Sequence, residues 1–245
     1  MIFSLRITVS LVLLLLLAAC SGHPQSRYFP LEPGMTWRYD VQSTTMDGTE
    51  TKKYVIQAGE PRSWQGETLP VRVTLARSRL IYRVNEQGVF RVATQRPDAA
   101  KPTAVGENRR TVLRYPLEPG TSWQATTETM TLYRTGPPQR SEYRIKVPVN
   151  LEYTIEATND SVKVPAGRFD DCLRVQATGI KRQYDASNYI GRTDITVEQT
   201  DWYAPGVGLV KSVREESTSS KLQNQGSTQT FAGRLTFELE SFESG

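Results

Sequence analysis

From Ile145 to Ile155 every second residue is apolar. Ile145, Val147, Val149, Leu151, Tyr153 and Ile155 alternate with Lys146, Pro148, Asn150, Glu152 and Thr154. Side chains of a β-strand point alternately to opposite faces, so this pattern gives one apolar surface and one wet surface. An apolar strand face must be covered by other strands, and the same alternation recurs in Val71, Val73 and Leu75, in Ile195 and Val197, and in Leu235, Phe237 and Leu239. Turn signals separate the runs at Asp47-Gly48, Gly136 to Pro138, Asn159-Asp160 and Pro205 to Gly208. No segment after Cys20 has helical periodicity. The expected fold is therefore all-β, a large antiparallel meander forming a curved sheet or open barrel with little helix after the leader. Pro148 lacks an N–H, which predicts an edge position or a bulge for its strand.

One internal echo bears on how the sheet is built. YFPLEPGMTW runs from Tyr28 to Trp37 and RYPLEPGTSW from Arg114 to Trp123, and a looser echo pairs Tyr82–Val92 with Trp202–Val213. Two copies are too few for a solenoid. They are compatible with one domain, residues 28–245, made of two similar halves at about 28–95 and 114–245, with residues 95–113 read as a linker or long loop. The alternative is a convenient strand-leading turn used twice.

The first nineteen residues carry one positive charge, Arg6, then a leucine- and valine-rich run from Leu11 to Leu17, then Ala18 and Ala19 before Cys20. This is the layout of a secretory leader, and its apolar run falls short of the roughly 20 residues that span a bilayer. The LAAC segment resembles the lipobox of bacterial lipoproteins. That resemblance implies cleavage before Cys20 and lipid on its sulfur and new amino group, which makes the membrane the first expected partner. Two or more acyl chains anchor stably, each buried CH₂ contributing about 0.8 kcal/mol. Ser21 follows in place of the aspartate that marks inner-membrane retention in Gram-negative lipoproteins, so the resemblance implies the outer membrane, facing the periplasm. The polar tether, residues 20–27, reaches only about 25 Å when extended.

Much chemistry is removed by residue type alone. With Cys20 committed to lipid, Cys172 stands alone, so no internal disulfide is expected, and a lone cysteine in an apolar strand is normally a small buried hydrophobe. The single histidine, His23, lies in the tether. Histidine-assisted nucleophiles and common zinc sites therefore have no materials in the domain, and neither a metal nor a cofactor is expected. The formal charge of +4 comes from mixed signs without a basic stripe, which argues against nucleic acid. Asp170-Asp171 and Glu215-Glu216 are adjacent on strands, so each pair divides between opposite faces.

Two further stretches shape turns: VPAGRFDDCLRV from Val164 to Val175, and WYAPGVGLVK from Trp202 to Lys211. Pro165 and Gly167 set one turn. Pro205-Gly206 fits a type II turn, with Gly208 marking a bulge. Together with YFPLEPGxxW, these stretches resemble an uncharacterised family of secreted bacterial β-proteins, a domain of unknown function. The resemblance implies a single large antiparallel sheet and an envelope location, and it transfers no catalytic residue.

Trp37 and Trp123 are expected to plug one end of the sheet. Trp64, in PRSWQGE, is the aromatic expected to be most exposed, and Arg77, Arg79, Arg83, Arg109 and Arg110 are expected on a solvated face. Three function classes follow. The leading one is a non-catalytic envelope module that binds or carries an apolar or envelope ligand. The second is an assembly partner of an envelope complex. The third is an enzyme acting on polysaccharide, which would need carboxylates brought together across strands.

Overall fold

The computed structural model describes residues 27–109, 111–136, 141–187, 191–220 and 228–244. The leader, Cys20, His23, most of the tether, Arg110 and most of the Gly136–Pro138 turn lie outside the described residues. The strands are β1 (Thr36–Thr45), β2 (Gly48–Trp64), β3 (Glu67–Thr74), β4 (Arg79–Asn85), β5 (Gly88–Gln95), β6 (Thr103–Ala104), β7 (Thr111–Arg114), β8 (Ser122–Glu128), β9 (Tyr133–Gly136), β10 (Ser141–Arg144), β11 (Pro148–Val164), β12 (Gly167–Ser187), β13 (Gly191–Ala204), β14 (Gly208–Ser220) and β15 (Thr228–Glu243). Thirteen of them form one antiparallel sheet in the order β6-β5-β4-β3-β2-β1-β15-β14-β13-β12-β11-β8, with β7 also on β5; β9 and β10 form a separate hairpin.

The fold is thus all-β, as the alternation predicts, and the sheet is curved without closing into a barrel. Its two margins come close. Asn108, in a 3-10 turn at Glu107–Arg109, donates from Nδ2 to Thr126 Oγ1 of β8 at 3.1 Å, yet β7 and β8 form no ladder. The two PLEPGxxW segments lead into β1 and β8, and Trp37 and Trp123 are both buried on the inner face. β1 is flanked by β2 and by β15, where Thr36 sits opposite Glu243.

Several expectations are corrected. Residues 95–113 are more than a linker, because β6 and all of β7 but Arg114 lie within them, and both strands pair with β5. Asn159-Asp160 makes no turn. The chain runs through it inside β11, and the mismatch with β12 is absorbed by register shifts between Ile155 and Val162. The strand expected from Ile145 begins at Pro148; of the two alternatives, edge or bulge, it is not an edge strand, since β8 covers one side and β12 the other, and its irregularities are the register shifts with β12. Pro148 is tolerated because the first residue of a strand can forgo its N–H. The turns at Asp47-Gly48, Pro165-Ala166 and Pro205 to Val207 form as expected, with Gly48, Gly167 and Gly206 at positive φ.

The motif segments assemble one end of the sheet, referred to below as the near end. Trp37 donates its indole N–H to the Val207 carbonyl at 2.7 Å, Tyr39 its hydroxyl to Leu209 O, and Tyr28 its hydroxyl to Asp171 O. Gly206 N–H bonds Arg27 O. Beneath this lead-in segment, buried Arg72 lies against the rings of Phe29, Trp37 and Tyr82 at 3.8, 4.4 and 5.9 Å and donates to Pro30 O at 2.7 Å. Cation–π contacts there take the place of a carboxylate. Alternation sets Val71 and Ile81 on the opposite face, in a second small core with Leu69, Phe90, Val92 and Ala93.

Candidate functional site

Cross-strand register carries rows of side chains around the inner face. One row runs Trp123, Tyr153, Ala177, Gln199, Arg214, Leu235, Ser43 and Glu50; the next runs Val175, Asp201, Ser212, Phe237, Val41 and Lys52. Most of this face is apolar. Around β13 and β14, however, it holds Asp201, Ser212, Arg214 and Glu216, all buried. Buried charge is costly unless paired and hydrogen-bonded, so each of these groups requires an account.

Arg214 and Glu216 are accounted for by a strap. After β8 the chain crosses the trough through Thr129, Met130, Thr131 and Leu132. Glu216 accepts the Met130 N–H at 2.7 Å, the Thr131 N–H and hydroxyl at 2.9 Å each, and Arg214 Nε at 2.8 Å. Arg214 also donates to Glu128 O at 2.9 Å and Gln199 Oε1 at 3.1 Å. The pair therefore satisfies the backbone of a segment that has left the sheet. Gly233 on β15 lies under the strap, and a Cβ there would stand 2.5 Å from Thr131 Cβ.

Among the described residues, two openings lie beside the strap on the inner face. On one side is a groove of about 350 Å³ with Val41, Met130 and Leu235 among its lining and Glu50, Lys52, Glu128 and Lys146 contributing charge. Lys52 pairs with Glu50 at 2.9 Å and Lys146 with Glu128 at 3.7 Å. The other opening is a cleft of about 210 Å³ at the seam between the margins, lined by residues that include Arg91 of β5, Thr111 of β7, Thr126 of β8, Tyr153, Gln199, Asp201 and Tyr203. Asp201 accepts from Gln199 Nε2 at 3.1 and 2.9 Å. Burial holds its carboxyl above the ordinary value, against hydrogen bonds from Ser212 and Gln199 and the charge of Arg214. Burial likewise pushes the Tyr153 hydroxyl up to about 12 and holds the Tyr203 hydroxyl well above its ordinary value. Trp123 stacks on Tyr153 at 5.4 Å, and neither Trp123 Nε1 nor Arg91 Nε has a partner within the fold.

The residues singled out in the sequence fall mainly elsewhere. Cys172 is fully buried near the motif end, and burial, with Asp160, Asp170 and Asp171 adding to it, pushes its thiol up to about 11. Asp170 and Asp171 are exposed. Glu215 faces outward to Arg234, while Glu216 faces the strap. Trp64 ends β2 half-buried against the outer core, so it is not a free aromatic. Arg83 binds Glu67 through two bonds, at 2.9 and 2.5 Å. Among the described residues, no group of three or more His, Cys, Asp or Glu is placed to hold a metal.

Asp201 and Gln199 went unremarked in the sequence, yet a signal existed. They continue the phase of Ile195 and Val197, so polar residues occupy the apolar register of β13.

The chain matches no protein-family profile and no curated protein. Two solved structures align with it. One, from Bacteroides fragilis NCTC 9343, is described as exported and as having a YmcC-like fold; it is 14% identical, with a TM-score of 0.37 over 88% of this chain and 98% of that one. The other, from Parabacteroides distasonis ATCC 8503, is described as a lipoprotein; it is 16% identical, with a TM-score of 0.34 over 88% of this chain and 98% of that one.

Proposed function

We propose that this chain is a lipid-anchored protein of the bacterial envelope whose domain binds a ligand without transforming it. The anchor rests on the leader and on the LAAC segment that ends in Cys20. The binding role rests on one observation: among the described residues the inner face opens at the groove and at the seam cleft, beside the strap. The groove, at about 350 Å³, lies at the small end of the roughly 300–1,000 Å³ typical of drug-sized ligand pockets, and the cleft, at about 210 Å³, lies below that range. The domain therefore holds a small ligand or one portion of a larger one, which narrows the carrier idea.

The catalytic reading has less support. Only Asp201 among the lining residues brings a carboxylate to the cleft, whereas glycoside hydrolysis uses two carboxyls about 5–9.5 Å apart. The test is native mass spectrometry of the full lipidated chain released from host membranes, followed by organic extraction. A retained non-covalent small mass supports the binding module. A bare chain that instead brings a second protein through purification replaces it with the assembly-partner reading.

A further inference from the structure

We propose that the seam cleft is a binding site for one ring of a neutral sugar. This assignment rests on the binding-module reading and gives that module a ligand class. Its first support is position: the cleft opens where β7 and β8 approach without pairing, so a ligand reaches buried groups without the sheet being broken.

The second support is charge. Four charged side chains meet around the inner rows here. Arg214 and Glu216 neutralise each other at 2.8 Å, which leaves Arg91 on one wall and Asp201 on another. An anion would meet Asp201 and a cation would meet Arg91, each in a poorly solvated place where a like charge is costly. A neutral ligand avoids both conflicts.

The third support is hydrogen-bonding capacity. The wall combines an acceptor-only carboxylate, donor-only guanidinium nitrogens, the phenols of Tyr153 and Tyr203 and the Thr111 hydroxyl. Only a ligand whose groups both donate and accept serves such a wall, and a ring of hydroxyls does. Arg91, on the wall, has its Nε buried and unpartnered, so a donor is left over there. Buried polar groups are normally satisfied. Size agrees as well: about 210 Å³ equals roughly seven waters at ~30 Å³ each, room for a single ring and not for an extended chain.

The experiment is saturation-transfer NMR on the full lipidated chain in a detergent without sugar head groups, with glucose, galactose and N-acetylglucosamine as separate probes. Transfer to ring protons of at least one sugar is expected. Thr111→Trp, which fills the cleft from β7, should abolish it, and Asp201→Asn should weaken binding about tenfold while thermal melting shows both variants folded. Absence of transfer from all three sugars, or transfer unchanged in both variants, overturns the assignment. A retained non-sugar mass in the native spectrum, with no sugar transfer, rejects the sugar and leaves the binding module standing. Absence of both rejects both.

Discussion

At the scale of single residues, burial decides what the reactive groups can do. Cys172 is enclosed by the motif turns, and a thiol pushed up to about 11 carries almost no thiolate at neutral pH. It should therefore resist an aromatic disulfide reagent in the native state and react only as the domain unfolds in urea; stoichiometric labelling before the unfolding transition would contradict this burial. Asp201 shows the opposite linkage from a salt-bridged acid. Its folded carboxyl titrates above the ordinary 3.8, so between those two values the native state holds the extra proton, and stability rises as pH falls through that window. Asp201→Asn removes the neutral-pH penalty. Its melting temperature should exceed the parent's at pH 7, and the gap should shrink as pH is lowered towards about 4. A gap constant across that range would show that desolvation of the carboxylate is not what burial costs here.

At the scale of elements, the strap is the feature that alternation alone could not predict. Glu216 is its acceptor and Arg214 its link to β13, so truncation of one partner strands the other charge in the interior. Glu216→Ala should cost about 3–5 kcal/mol in urea unfolding, while Arg214→Met with Glu216→Leu should cost less than that single change. A double variant as unstable as Glu216→Ala would assign the strap's hold to the threonines. Strand identity was legible from period two, and the near-end turns from Pro165, Gly167, Pro205 and Gly206, because local backbone chemistry sets both. The strap was not legible. Its partners lie 85 and 86 residues away, and nothing local in Thr129 to Leu132 says which face it will cross. Asn159-Asp160 misled for a related reason: the pairing demands of two long neighbouring strands outweighed a short turn preference. The cleft was half legible, since Gln199 and Asp201 break the apolar phase of β13, but the arrival of Arg91 from the other margin depends on how far the sheet curls.

At the scale of the whole molecule, the described chain begins at the near end, where Arg27 O is held by Gly206. A short tether there would turn the Pro165 and Pro205 turns towards the membrane, while the groove beside Met130 would lie farther from it. Attachment itself is checked with Cys20→Ala. That variant should accumulate as an uncut precursor without a lipid adduct in mass spectra, and a normally processed, detergent-partitioning product would remove the basis for the anchor. The pairing of β1 with β15 has one more consequence. Arg38 and Glu243 touch across 205 residues of chain, so export from the amino end, as the proposed leader implies, would deliver β1 long before its neighbour β15. Until β15 emerges, β1 can have only one of its two flanking strands, and an open strand edge invites association with other chains. Maturation should then be timed by the arrival of β15, with slow, non-local closure and a need for escort in the interval.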